Sequence, residues 1–398
     1  MPRHQLPAFS PVPLGAPWLA IRRAVAPGAD PRARLAQRLC ARYGRARAVL
    51  TDGGTQALAL ALRAARVLRG CASPVALPAY TCFDVAAAAV AADAAIVLYD
   101  LDPDTLGPDW ESLERALKHG AGIVVVAPLC GIAVDWDRVR QTLAPYGALA
   151  VEDAAQGHGA DWRGHPVGGL GTLSVLSFAR GKGWTGGRGG ALLSTEATIG
   201  EAIADWIQPR AGVRDELSTP LLALGQAVFG RPFLYSIPAA MPWLRLGETW
   251  YRDAPPAAPM TRTAAALLEV TWDGAMVEAE ARRTNGRWML GHLPRSRGVA
   301  AVRQPFGGSA GYLRFPVRLA RGLAGFPDPR ALLRLGVAPG YPSTLAELER
   351  VRERLVNPGD CRRGAETLVR ELVTLPTHSR VTPADRASLA GWLAAYEA

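Results

Sequence analysis

Of the 45 basic residues in the chain only two, Lys118 and Lys182, are lysines. Arginine serves wherever a fixed positive charge suffices, whereas an amine can lose its proton and attack a carbonyl. Lys182 stands in a glycine-rich loop that follows the apolar run Ser174–Phe178, and Asp153 follows the apolar run Leu149–Glu152. Read as parallel strands of one sheet, these runs end at the edge where open α/β sheets gather ligands, so carboxylate and amine converge on one site. An amine there can form a Schiff base with an aldehyde. A carboxylate there can keep a pyridine nitrogen protonated so that the ring accepts electrons, and the pair is what pyridoxal 5'-phosphate (PLP) requires. Further upstream, the turn in TDGGTQALALAL places Gly54 and Thr55 at a helix start, where free N–H groups and the helix dipole favour an anion such as the cofactor's phosphate.

Each residue also has a plainer reading. Asp153 can cap a helix, Gln156 can be a surface amide, Ser177 a strand hydroxyl, Lys182 a solvated loop charge and Gly54-Thr55 only a helix start. Their joint order favours the site.

That order is the basis of a resemblance. Glu152, Asp153, Ala155, Gln156, His158, Gly159, Ser177, Phe178, Lys182, Thr185, Gly187, Gly189 and Gly190 resemble the signature of the DegT-type sugar-nucleotide aminotransferases, a branch of the fold-type I PLP enzymes. PAYTCFDVAAAAVAADAAIVLYDLDPDTL and LVTLPTHSRVTPAD resemble further stretches of that family, so the likeness runs over nearly the whole chain. It implies that Lys182 holds the cofactor as a Schiff base and shuttles the proton, and that Asp153 pairs with the pyridine nitrogen. Gln156 then lies near the phenolic oxygen, and Ser177, Gly54 and Thr55 bind the phosphate. The implied reaction moves an amino group from glutamate to the keto carbon of a nucleotide-linked sugar, for cell-surface polysaccharide or secondary-metabolite sugars. The implied assembly is a homodimer.

Three positions depart from the family pattern. Cys82 stands where an aromatic ring stacks on the cofactor, so stacking falls to Phe83 or Tyr80, or is absent. Pro128 stands in place of a histidine. Ala257–Pro259 replace an Asn-Tyr-Arg whose asparagine reaches the partner subunit's phosphate. These changes keep two alternatives open: a PLP aminotransferase acting on a lipid-linked or non-sugar ketone, and a PLP-binding or cofactor-free regulatory protein that retains the fold. A dehydrating branch of the family replaces the lysine, so Lys182 argues against that branch.

The elements that must position these groups are legible as short apolar runs alternating with amphipathic ones, the pattern of βα units. Ala46–Thr51, Val75–Pro78, Ile96–Asp100, Ile123–Ala127, Leu149–Glu152, Ser174–Phe178 and Ala191–Ser194 read as strands; Thr55–Arg69, Phe83–Ala92, Asp109–His119 and Trp136–Tyr146 read as helices. The expected architecture is α/β: a large domain with a mainly parallel seven-stranded sheet over residues 1–260, then a smaller C-terminal α+β domain over 261–398. Within the latter, Thr261–Leu293 reads as a long helix, Tyr312–Leu319 as a strand, and Thr344–Leu355, Arg362–Leu372 and a segment opened by Thr382-Pro383 as helices.

The length of 398 residues suits two such domains, and 49% hydrophobic with 20% charged residues excludes a disordered chain. A net charge of +10 favours anionic ligands, but the arginines are scattered without a block, which argues against nucleic acid. Five dispersed cysteines, Cys40, Cys71, Cys82, Cys130 and Cys361, give neither a disulfide framework nor a metal site. With no signal sequence visible, the expectation is cytoplasmic. The apolar stretch 219–250 is interrupted by Pro232, Pro238 and Pro242 and carries Arg231 and Arg245, so it cannot be a simple spanning helix. It reads as an insert that packs its own apolar residues, in preference to a cover for the site or a peripheral membrane contact.

Overall fold

The computed structural model describes residues 4–69, 73–208, 213–241, 243, 247–294, 296, 298–326, 332 and 334–396; Cys71, Pro242 and Arg245 lie outside them. Helices α1 (Ala16–Val25) and α2 (Pro31–Tyr43) precede β1 (Arg47–Thr51), α3 (Gly54–Arg69), β2 (Val75–Pro78), α4 (Phe83–Ala91), β3 (Ile96–Tyr99) and α5 (Trp110–Lys118). There follow β4 (Ile123–Val126), α6 (Trp136–Leu143), β5 (Leu149–Asp153), the short strands β6 (Asp161–Trp162) and β7 (His165–Pro166), then β8 (Leu173–Ser177) and β9 (Gly190–Ser194). After α7 (Ile199–Ala202), α8 (Val213–Phe229) and α9 (Pro232–Ala239), the chain runs through the long α10 (Arg262–Gly291).

Seven strands form one sheet in the order β1-β9-β8-β5-β4-β2-β3. Pairs among β2, β3, β4, β5 and β8 are parallel, and β9 alone runs against its neighbours β1 and β8. Every residue of β2, β3 and β4 is buried, as expected of strands covered by helices on both faces, and this explains their unbroken apolar runs. All seven strands lie within a residue or so of the segments expected from the sequence.

Toward the C-terminus, β10 (Val299–Ala301), β12 (Phe315–Leu319), β13 (Ala338–Pro339) and β14 (Leu372–Leu375) make an antiparallel sheet, while β11 (Gly308–Ser309) joins β6. Here the structure corrects several expectations. The strand expected from Tyr312 begins only at Phe315, because Tyr312 holds a left-handed backbone at φ 43° that cannot continue a ladder. Thr344–Leu355 is not one helix: Leu348, extended at φ −75° and ψ 125°, separates a turn at Leu345–Glu347 from a helix at Glu349–Arg352. The segments α1, α2 and β14 are not foreshadowed by the sequence pattern.

The insert folds as α8 and α9. Ala223 and Ala227 of α8 pack with Ala16 and Ala20 of α1 and Leu267 of α10, while Leu217, Leu221, Leu222 and Leu224 stay exposed. The expected self-packing is thereby corrected: the face that is buried carries small residues and packs on α1 and α10, and the insert's larger apolar side chains are not covered by one another. Among the described residues no helix is long and apolar enough to cross a membrane.

Candidate active site

Strand β5 ends in Asp153, and a 3-10 turn at Ala154–Gln156 follows at once. The Asp153 carboxylate accepts from Ala155 N–H at 3.2 Å, and burial pushes its pKa up while the charge of Lys182 pulls it down. The neighbouring Glu152 has a different task. Fully buried, it accepts from Gly168 N–H, Leu170 N–H and the Ser174 hydroxyl at 2.9, 2.9 and 2.7 Å, fixing the loop that feeds β8.

Beside β5, β8 ends in Ser177 and delivers the loop that carries Lys182. Gly181 and Gly183 flank the lysine at φ 77° and 81°, a conformation that L side chains rarely adopt, so both glycines are required by the backbone. The loop is closed by the Thr185 hydroxyl, which donates to Phe178 O at 2.8 Å and accepts from Gly187 N–H at 3.0 Å. From below, Arg282 of α10 fills the space a Gly183 side chain would need, its guanidinium lying 2.8–3.0 Å from that position. Arg282 is fully buried and donates to His158 O at 3.3 Å. Sequence patterning gives no sign of it. Lys182 itself is half-buried and has no ion pair among the described residues, and it lines a small recess with Ser177, Ala155, His158 and Trp184.

The start of α3 meets the same edge. A side chain on Gly54 would sit 2.6 Å from Ser177 Cβ, and one on Gly190 would sit 2.7 Å from Gly54 N, so only glycine lets α3, β8 and β9 close to this distance. The sequence-expected groups Gly54, Thr55, Asp153, Ser177 and Lys182 are therefore gathered at one end of the sheet. Gln156 is there too, bound on both sides: its Oε1 accepts from Cys130 N–H at 2.9 Å and its Nε2 donates to the Tyr341 hydroxyl at 2.7 Å. Tyr341, contributed by the C-terminal region, is a second site residue that the sequence does not reveal.

Cys82 lies within electrostatic reach of Lys182 and Asp153, and burial raises its thiol to about 11. Phe83 and Tyr80 both turn toward Tyr341. The Phe83 ring is 6.5 Å from it centre to centre, and the Tyr80 ring is 5.5 Å away with its hydroxyl accepting from Tyr341 N–H at 2.7 Å. At the third departure, Pro256–Pro259 are stitched to their own chain: Ala258 O accepts from Asp52 N–H at 2.8 Å, and Pro256 O from Gln56 Nε2 at 2.9 Å. Asp52 in turn pairs with Arg188.

These residues fit PLP on their own terms. A lysine amine without a paired carboxylate, a half-buried carboxylate that feels its charge, and a backbone cradle that a Cβ at Gly54 would fill are the donor set that the group needs.

Comparison with known proteins agrees. Residues 28–209 match the model of the DegT/DnrJ/EryC1/StrS aminotransferase family. The L-glutamine:2-deoxy-scyllo-inosose aminotransferase of Streptomyces kanamyceticus is 34% identical over 166 residues, which are 42% of this chain and 38% of that protein. The match thus spans less than two fifths of that relative's length. Among solved structures, S. venezuelae DesV in complex with a ketimine intermediate superposes with a TM-score of 0.75 at 20% identity, covering 99% of both chains. The PLP form of Spr1654 from Streptococcus pneumoniae, described as a sugar aminotransferase, gives 0.72 at 18% identity over 99% of this chain and 97% of that one. The segment 28–209, which holds every site residue expected from the sequence, thus matches the DegT/DnrJ/EryC1/StrS aminotransferase family model, and the chain shares the fold of these solved structures over nearly its whole length.

Proposed function

We propose that this chain is a PLP-dependent aminotransferase that moves an amino group from glutamate or glutamine to a keto group of a sugar or cyclitol. The observation that carries the reading is Lys182, free of any ion pair among the described residues, within electrostatic reach of the half-buried Asp153 and in the loop that follows Ser177 of the Gly54–Ser177 cradle. PLP, when bound, supplies the aldehyde and the electron-accepting ring. Lys182 Nζ would hold the cofactor and would take and return the substrate's proton. Asp153 would keep a proton on the ring nitrogen. The N–H groups at the start of α3, with Thr55 and the Ser177 hydroxyl, would hold the phosphate, and Gln156, oriented by Tyr341 and Cys130, would serve the ring's oxygen.

The donor and acceptor classes rest on the kanamyceticus relative, whose name gives glutamine and a keto-cyclitol, and on the family likeness, which points to a nucleotide-linked keto sugar of polysaccharide or secondary metabolism. We assign the cofactor-bearing lobe to residues 1–260 and a smaller lobe to 261–398, with a homodimer in the cytoplasm as the working form. The test is a titration of the purified protein with PLP. A visible band should appear, be bleached by glutamate or glutamine, and return with a keto sugar nucleotide or keto-cyclitol, and the same sample should sediment as a dimer. A protein that shows no such band, or whose band neither donor alters, is not this enzyme.

A further inference from the structure

We propose that α1, α8 and the start of α9 form a docking face for an anionic lipid surface, on which the chain rests without crossing it.

The two longer helices keep their small side chains inside and their large ones outside. Ala16, Ala20 and Ala24 of α1, each four apart, and Ala223 and Ala227 of α8 pack in one layer with Ala266 and Leu267 of α10. The larger apolar residues lie on the opposite faces. Trp18 and Val25, seven apart on α1, and Leu217, Leu221 and Leu224, at helical spacing on α8, are exposed, as is Phe233 of α9. The exposure is large: 66% for Trp18, 70% for Leu221 and 64% for Phe233. Because α1 and α8 touch one another and both lie on α10 by their alanine faces, the opposite faces are turned outward side by side. A helix that is apolar on both faces is normally covered on both, and contiguous apolar surface of this kind marks a contact with a protein or a membrane.

Charge decides between those two. Residues 4–29 and 217–241 contain three arginines, Arg22, Arg23 and Arg231, and no aspartate or glutamate. All three are exposed, and among the described residues none has an ion pair. The acids that open α8 are engaged elsewhere: Glu216 accepts from Arg262 and Thr263 N–H at 2.8 and 2.9 Å, and Asp215 lies 4.0 Å from Arg188. Glu269 of α10, which shares a recess with Arg23, is held by Arg34 at 2.9 Å. A second copy seated face to face would bring the same arginines and no carboxylate. An anionic bilayer surface supplies headgroup phosphates for the guanidinium groups and hydrocarbon for the Leu, Trp and Phe side chains.

Flotation of the purified full chain with vesicles tests this face. The chain should float with vesicles of phosphatidylcholine and phosphatidylglycerol in equal parts, and far less with phosphatidylcholine alone. Trp18→Ser, Leu221→Ser and Phe233→Ser combined should weaken affinity for the mixed vesicles about tenfold or more, because the burial of three large apolar side chains is lost. Arg22→Gln combined with Arg231→Gln leaves the apolar rows intact and should also weaken it about tenfold or more, each arginine near such a surface contributing about fivefold. Since all these side chains are exposed, urea midpoints of both variants should match that of the unsubstituted protein. No flotation of the unsubstituted chain with the mixed vesicles, equal flotation with both compositions, or unchanged affinity in either variant would overturn the proposal. So would a triple variant that sediments as a smaller assembly without lipid, since the face would then be a contact between copies.

Discussion

Lys118 and Lys182 have the same side chain in different settings. Lys118 closes α5, is 65% exposed and lies 4.0 Å from Glu114, one turn back. Any cation complements a helix C-terminus there, so Lys118→Arg should be nearly silent. Lys182→Arg keeps the charge but removes the amine that can lose its proton, so it should abolish the visible band and transamination together. Borohydride reduction and peptide mapping decide between them: a pyridoxyl label on Lys118, or transamination that survives in the Lys182→Arg variant, would defeat the assignment. Lys182 and Asp153 are legible in the sequence because each is a residue type with distinctive chemistry at the end of a recognisable strand. Tyr341 and Arg282 are not, since each comes from far along the chain and only the folded contacts with Gln156 and Gly183 place them.

At the level of elements, the close approach of α3 to β8 makes Gly54 a sensitive point. Gly54→Ala would set a methyl 2.6 Å from Ser177 Cβ, so helix and strand must separate and the N–H groups that face the phosphate would splay. Overpacking of this kind costs about 1–3 kcal/mol. PLP affinity, measured by the visible band against added cofactor, should fall about tenfold or more, while Gly53→Ala, where nothing lies within 4 Å, should fall far less. Equal affinities for the two variants would remove the cradle from the phosphate site. Element ends are readable wherever a cap is encoded locally, as at Thr261, whose hydroxyl accepts from Ala264 N–H at 3.1 Å, and in the Thr382–Asp385 capping box. The start of α2 carries the same kind of signal in Asp30-Pro31 and its end in Gly44 at φ 62°, yet its apolar stripe, Leu35, Leu39 and Tyr43, is a single row set among arginines and easily passed over. In the segment from Tyr312 the composition is that of a strand, and only the packing of its ring against Gly286 of α10, which leaves no room for a side chain there, goes with the turned backbone.

For the whole molecule, the two buried histidines tie stability to pH. His378 donates from Nε2 to Leu6 O at 2.8 Å across 372 positions of sequence, fastening the N-terminal segment to the C-terminal one, and His158 packs against Trp184 beside the site. Burial, reinforced by Arg282, holds the first at a pKa of about 4 and the second at about 3, against 6.5 for a free imidazole. Between 6.5 and these values the unfolded chain binds protons that the folded chain refuses, so stability falls as pH drops through that window and is intact above it. The buried carboxyls Glu152 and Glu278 and the half-buried Asp153 act in the opposite sense, because desolvation raises their folded values and the folded chain takes up their protons first as pH falls. Net curves therefore mix both signs, and a single substitution separates them. His378→Gln keeps an amide N–H toward Leu6 O but cannot titrate, so between about pH 7 and about pH 5 it should lose about 2 kcal/mol less than the unsubstituted protein. Urea midpoints at the two pH values measure that difference; equal losses in both proteins would mean that His378 is not held neutral by the fold.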